Sequence, residues 1–352
     1  MPNWAESMQQ SFEYYVVDPG TWKEEKFLDN VKSCTITRDS DSETLGSAMI
    51  DVTDSVGECY IRVYLITIQN GLKERYPLGT FLVQTPSSTF DGKIRSVSMD
   101  AYTPLLELKE SPPPLGYSIL KGQNIMSIAY QIAHEHARAP VIAATSDKTL
   151  YSDFVANTSD TWMSFLTDLI ANAKYIFELD EMGRILFAPK QDIASLQPVW
   201  TYDDSNSSIL RPDVSMDHDL YGIPNVVEVI YSNGNDVYYA KVVNDDPNSP
   251  TSTVSRGREI VHRDTNPSVL GDATEAQIKE YATSLLKSLS TVEYSVTYTH
   301  GYCPVRLGDC VRLNYIRAGL TGIKAKVVSQ SIKCESGCQV TEKAVFTMNL
   351  WG

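Results

Sequence analysis

The run CPVRLGDCVRLNYIRAGLTGIKAKVVSQSIKCESGCQVTEKAVFTM, from Cys303 to Met348, decides the fold class. Val311, Leu313 and Tyr315 alternate with Arg312 and Asn314, the period-2 pattern of a half-buried strand. Leu307-Gly308-Asp309 turns the chain into it, and Ala318-Gly319 and Thr321-Gly322 mark the next turn. Ile323 to Ile332 is a long β-branched run. Glu335-Ser336-Gly337 is a hairpin tip, and Val340 to Met348 returns. The pattern predicts an antiparallel barrel module.

A shorter echo lies upstream. Tyr76-Pro77-Leu78-Gly79-Thr80 leads into Phe81-Leu82-Val83, and after Pro86 a second pair of runs flanks Asp91-Gly92, a two-residue hairpin signal. Both places show Pro, Leu-Gly, a small polar residue, strand, turn and long strand. Two related barrels in one chain are expected, residues 1–110 and the 200–352 region less one helix.

The rest of the chain fits around these modules. At 352 residues it is too long for one ordinary core. Within 1–110, Ser33 to Thr37, Ala48 to Val52, Cys59 to Gln69, Gly79 to Thr85 and Lys93 to Ala101 are predicted strands, with Asn70-Gly71 and Asp91-Gly92 as turns. Ser111-Pro112-Pro113-Pro114 reads as a stiff linker. Beyond it Ile125, Ile128, Ala129, Ile132 and Ala133 share one helix face. Ser159 is the expected N-cap of a second helix carrying Trp162, Phe165, Leu166, Leu169 and Ile170. Tyr175 to Leu179 and Arg184 to Phe187 form a hairpin around Asp180-Glu181-Met182-Gly183. Val226 to Tyr231 and Val237 to Val243 flank Asn233-Gly234-Asn235-Asp236, and Asn244 to Pro250 reads as an exposed loop. Asp272 and Glu275 look like a capping box before a helix with Ile278, Ala282, Leu285, Leu286 and Leu289. Strand signals resume at Tyr294. The expected division is 1–110 β-barrel, 111–198 small α+β domain, 199–265 and 292–352 second barrel, and 266–291 helical insertion. The fold class is thus a β-rich α+β protein.

Charge narrows the function. The net charge is −14 and the pI near 4.8, which argues against gripping nucleic acid by its phosphates. Residues 201–300 hold 7 Lys/Arg against 15 Asp/Glu, and residues 301–352 hold 7 against 3. This is either plain solvated surface or an acidic lumen or rim. Tyr, at 20 residues, suits strands and interfaces. The N-terminus MPNWAESMQQ lacks the basic start and apolar core of a signal peptide, and no apolar run approaches the roughly 20 residues that span a bilayer. A soluble, cytoplasmically made protein is expected.

The chemistry-bearing residues form no recognisable constellation. Cys303 and Cys310, with Cys334 and Cys338, leave three readings open: a four-thiolate zinc site, a Cys334–Cys338 disulfide formed outside a reducing compartment, or buried thiols. Cys34 and Cys59 are expected in the core. His134 and His136 are two apart on a helix and point to different faces. Cys303 lies near His300, but nothing nearby in sequence orients the pair as a dyad. Asp217-His218-Asp219, Asp203-Asp204 and Asp245-Asp246 read as polar loops. No G-x-S-x-G, P-loop or G-x-G-x-x-G occurs. No catalytic, cofactor-binding or metal residue is assigned, and no cofactor is expected.

The order β module, small α+β domain, β module split by a helix resembles the tail hub (baseplate hub) proteins of long-tailed bacteriophages and related contractile injection systems. It is also similar to the N-terminal hub portion of tail-associated lysins. Ser159 to Phe187, SDTWMSFLTDLIANAKYIFELDEMGRILF, carries the resemblance through a Trp-bearing helix, a small-residue exit and a hairpin around an Asp-x-x-Gly turn. Pro304 to Met348 carries it through the VRLGD turn and the YIRAGLTGIKAKVVSQSIK strand pair.

The resemblance implies two tail-tube-like barrels per subunit and a homotrimer, pseudo-sixfold on one face and threefold on the other. The implied partners are a tail tube protein or distal tail protein ring, a tip, spike or fibre protein, and a tape measure protein. DNA would pass through the lumen without specific binding. The implied location is the virion tail tip, assembled in the host cytoplasm. The chain ends at Gly352 just after the second barrel, so any lytic or spike activity is expected in another polypeptide. A tail-tip peptidoglycan hydrolase and a receptor- or carbohydrate-binding tail protein are the alternatives.

Overall fold

Alternation becomes sheet where one face is covered. In the strand Val31–Asp39, Cys34 and Ile36 are buried while Lys32 and Ser33 are exposed. Tyr60–Gln69 is buried continuously from Tyr60 to Thr67, so both of its faces are covered. The computed structural model describes residues 2–54, 56–90, 92–93, 95–232, 236–269 and 273–351. Among these, the protein is mostly antiparallel β-sheet with five α-helices. It divides into two compact units, Met1–Val214 with Thr297–Ala344, and Ser215–Val296 with Val345–Gly352.

In the first unit the strand pairings trace an open path. From the Gln339–Asn349 strand it runs through Ile323–Lys333, Val31–Asp39, Gly46–Val52, Arg95–Tyr102, Leu72–Phe90, Tyr60–Gln69 and Gln9–Val17 to Glu24–Leu28. Ile323–Lys333 and Val31–Asp39 join the two ends of the chain in one sheet. Their antiparallel register runs from Ser329 opposite Asp39 to Lys333 opposite Thr35. Ile332 faces Ile36, and both are buried. Burying each such side chain contributes on the order of 1.5–3 kcal/mol.

The two Leu-Gly echoes differ in conformation. Leu78-Gly79 lies inside Leu72–Phe90, at a bulge where Tyr64 pairs Pro77 and Val63 pairs Gly79. Leu307-Gly308 is a turn outside any strand, with Gly308 at φ 88°. The structure adds two strands to the expected set, Gln9–Val17 and Glu24–Leu28. The burial of Gln9–Val17 shows no clean alternation, because most of its residues are half-covered. Tyr315, expected to continue the strand Cys310–Asn314, instead opens a short 3₁₀ turn at Ile316–Ala318. The Asp91 half of the Asp91-Gly92 turn lies outside the described residues.

Two helices pack together in this unit. Ile125–His136 starts at Asn124, whose side chain accepts from Ser127 N at 3.0 Å. Trp162–Ala171 starts at Thr161 rather than Ser159. Thr161 and Ser164 form a reciprocal capping box, and Thr161 lies directly against the first helical residue, where its hydroxyl reaches the free N–H groups. Their apolar faces bury Met126, Ala129, Ala133, Phe165, Leu166 and Leu169 against Phe177 and Phe187 of the hairpin Tyr175–Leu179/Ile185–Pro189.

In the second unit, Val226–Ser232 pairs antiparallel with Val237–Val243 and parallel with Val261–Asp264. The helix Glu275–Leu289 covers one face with Ile278, Ala282 and Leu286 against Val227, Val229 and Ala240. Its cap is Thr274 with Gln277, not the expected Asp272 with Glu275. Asp272 lies outside the described residues, as do Asn233, Gly234 and Asn235 of the expected hairpin turn. The Asn244–Pro250 segment is not wholly exposed. Asn244 and Ser249 are buried and hydrogen-bonded at 2.9 Å, because the turn satisfies its own polar groups. Among the described residues, no helix is long and apolar enough to cross a membrane.

Candidate functional site

The most unusual chemistry lies inside the first unit, where strand alternation places polar groups on inward positions. His300 follows Tyr298 on the buried face of Thr291–Gly301. Glu342 sits between Val340 and Ala344 on the buried face of Gln339–Asn349. Gln330 is buried on Ile323–Lys333, and Tyr202 on Trp200–Asp203, a strand that pairs in parallel with Cys310–Asn314.

These side chains converge on one carboxylate. Glu342 Oε2 accepts from Tyr298 Oη at 2.8 Å and Tyr202 Oη at 3.2 Å. Its Oε1 accepts from Gln330 Nε2 at 2.6 Å, and His300 Nε2 lies 3.3 Å away. Three hydrogen bonds and the His300 ion-pair contact surround the carboxylate. His300 Nδ1 faces the Gly301 carbonyl at 2.6 Å. His300 Nε2 also lies 3.1 Å from Tyr202 Oη.

Burial opposes charge on His300, but its hydrogen bonds to Cys303 and Glu342 outweigh it and push the imidazole up to about 10. Burial likewise works against the Glu342 carboxylate, and the His300 contact outweighs it, holding the carboxyl below its ordinary value. Burial first, then the Glu342 charge, pushes the Tyr202 and Tyr298 phenols well above their usual range.

Cys303, His300 and Glu342 have the composition of a thiol nucleophile with base and orienter. The geometry does not fit that role. Cys303 is 2% exposed, and His300 and Glu342 are 0% exposed. Cys303 Sγ lies 4.0 Å from His300 Nδ1, a nitrogen already engaged by Gly301. The cluster is a buried ion pair whose carboxylate holds three hydrogen bonds.

Arg38 extends it to a second site. Arg38 donates to Gln330 Oε1 at 3.0 Å and to the Leu78 carbonyl at 2.7 Å, and comes within 4.0 Å of Glu181. Glu181 belongs to the Asp180–Gly183 tip singled out in the sequence, and Arg306 closes on it at 2.7 Å. The Met182 carbonyl accepts from Trp22 Nε1 at 2.7 Å and from the buried Arg62 at 3.1 Å. Gly183 has φ 75°, and a Cβ built there would sit 2.7 Å from Thr80 Cβ. The glycine thus permits both the left-handed turn and the close approach.

The other singled-out residues scatter. His134 stacks on Tyr130 and His136 on Trp162, so they share no ligand. His218 stacks on Tyr294. Asp203 and Asp246 cap their own turns through Ser205 and Asn248. The six cysteines are free; Cys59 is half-buried and the rest are buried. Among the described residues, no three His, Cys, Asp or Glu side chains are grouped to hold a metal. An open cavity of about 340 Å³ is lined by Glu58, Glu107, Glu110, Glu135, His136 and Arg138. There Glu107 bonds the Arg138 guanidinium.

Neither a scan against protein-family models nor a search of curated proteins finds a match. Solved structures do match. A tail protein from Neisseria meningitidis superposes with a TM-score of 0.62 at 13% identity, over 96% of this chain and 97% of that one. The 43 kDa tail protein of prophage MuSo2 from Shewanella oneidensis gives 0.60 at 12% identity, over 95% and 98%. A chain of the lidded Francisella PdpA–VgrG complex gives 0.55 at 9% identity, over 97% of this chain and 53% of that one. The chain therefore has the fold of these phage tail and VgrG-complex proteins, consistent with the tail hub resemblance read from its sequence.

Proposed function

We propose that this chain is a structural tail hub, a homotrimeric ring at the distal end of a phage tail. The observation that carries the reading is the end-to-end match to two phage tail proteins, with nearly the whole of each chain aligned. In this proposal residues 1–110 and 199–265 with 292–352 act as tail-tube-like modules, and 111–198 and 266–291 are additions to them. Two modules per subunit in a threefold ring present six, which joins a sixfold tube or distal ring to a threefold tip, spike or fibre. A tape measure protein and passing DNA would occupy the axis. The acidic balance supports a lumen that phosphates slide through.

Edge strands supply the side-to-side contacts. Glu24–Leu28 ends the strand path of the first unit and exposes Phe27, and Val237–Val243 is an edge of the second unit's sheet and exposes Tyr239. The burial of Cys303, His300 and Glu342 away from solvent supports a role without catalysis, so the purified protein should leave peptidoglycan intact on a zymogram. A particle reconstruction tests the hub itself. Threefold density on the tail axis supports it, and absence from the axis or another symmetry overturns it.

A further inference from the structure

The seam between the two ends of the chain carries one more pair. Inward positions along it read Arg38 opposite Gln330, Ile36 opposite Ile332, and one step further Cys34 opposite Cys334. The backbone confirms this last pairing: Cys334 N donates to the Cys34 carbonyl at 2.9 Å. Both side chains are buried, and the neighbouring Cys34 thiol together with burial holds the Cys334 thiol well above its ordinary range. Cys338 belongs to the hairpin tip, with φ 32° and its N–H bonded to the Glu335 carbonyl.

We propose that Cys34 and Cys334 are an oxidative modification site, a cross-strand disulfide that fastens Val31–Asp39 to the strand Ile323–Lys333. Directly opposed antiparallel residues joined by a backbone hydrogen bond have Cα atoms about 5.5 Å apart, inside the range a disulfide bridges. Their Cβ atoms stand roughly 4.5–5.5 Å apart, at or beyond the upper end of the usual disulfide spacing. The bond therefore forms under tension and is easily reduced, the property of a labile rather than a permanent bridge.

The oxidant is a low-molecular-weight disulfide such as oxidised glutathione. Cys334 is the less buried of the two, but the Cys34 thiol and burial disfavour its thiolate, so the reaction is slow; the thiolate, once formed, attacks one sulfur and releases one small thiol. Cys34 then loses its proton and displaces the second small thiol from the mixed disulfide. Two protein thiols are oxidised, and one small disulfide is reduced to two thiols. The cross-link is a property of the chain alone. Only its timing, after release from a reducing cytoplasm, rests on the tail reading, and particle imaging tests that separately.

The experiment incubates the native full-length chain with oxidised glutathione, alkylates remaining thiols in denaturant, and maps unreduced peptides by mass spectrometry. The expected result is a Cys34–Cys334 linked peptide lighter by two hydrogens, with Cys59, Cys303, Cys310 and Cys338 alkylated. Reduced glutathione should reverse it, and C338S should retain it. In C34S, glutathione should stay attached to Cys334. A Cys334–Cys338 link, full alkylation of all six cysteines, loss of the link in C338S, or a link seen only after unfolding would each overturn the proposal.

Discussion

The guanidinium of Arg38 donates to Gln330 Oε1 across 3.0 Å, between residues 292 positions apart. That bond fixes the orientation of the Gln330 amide. Its nitrogen then donates to the Val305 carbonyl at 3.0 Å and to Glu342 Oε1 at 2.6 Å. One amide thus ties a surface-reaching arginine to a carboxylate with no solvent of its own. Such networks are costly when broken, because every member is left facing an unpaired partner.

Removing the carboxylate should therefore be expensive. Glu342→Ala leaves a buried imidazolium, two phenols and an amide without their common acceptor. The expected loss is about 3–5 kcal/mol. Urea denaturation followed by tryptophan fluorescence measures it; a loss below about 1 kcal/mol, the range of an exposed pair, would contradict a buried ion pair at this position.

The ion pair should also shape the pH dependence of stability. The imidazole of His300 is raised to about 10 in the fold and titrates near 6.5 when unfolded. Its contribution is fully present below about pH 6.5 and is lost as pH rises toward 10. Glu342 works in the opposite sense. Its folded value is held low, so its contribution holds above the ordinary carboxyl range and is lost as pH falls below it. Melting temperatures of the wild type and His300→Gln, compared from pH 6 to 10, should converge as pH rises. A constant gap would show that His300 is neutral throughout.

Gly183→Ala should loosen the Asp180–Gly183 tip. The alanine meets Thr80 Cβ at 2.7 Å and Trp22 Cζ2 at 3.2 Å and must hold a left-handed φ of 75°. Strain of this kind costs roughly 1–3 kcal/mol. Chemical denaturation should show that loss, with faster amide exchange at Trp22 and Gly183. Stability equal to wild type would mean that the tip is not held against Thr80.

Metal analysis separates the cysteine readings. Cys34 pairs with Cys334 across the seam, and Cys303 joins His300 and Tyr202 instead. Purified protein should carry well below stoichiometric zinc. One zinc per chain, lost on mutating Cys334 and Cys338, would restore the four-thiolate reading.

The hairpins and the helices were legible because their signals are local. Ile323 to Ile332 and the Trp162 helix announce themselves by period alone. The sequence does not single out the Thr161 and Thr274 caps, because Ser159 and Asp272 are equally good capping residues nearby. The buried cluster was half legible. Glu342 interrupts an apolar face between Val340 and Ala344, and His300 does the same after Tyr298, so parity could have flagged both. Nothing in the sequence links either residue to Tyr202, Gln330 or Arg38, because that grouping depends on which strands become neighbours.

The seam between Val31–Asp39 and Ile323–Lys333 also sets an order of events during synthesis. Residues 38 and 330 are separated by 292 positions. At roughly 5–20 residues per second, about 15–60 s pass before the later strand exists. Until then the earlier strand presents an unclaimed edge inside the cell, the kind of surface that recruits other chains. The nascent N-terminal portion is thus a natural client for chaperones. A message broken before the Ile323 codon would leave a product that aggregates rather than a smaller working part.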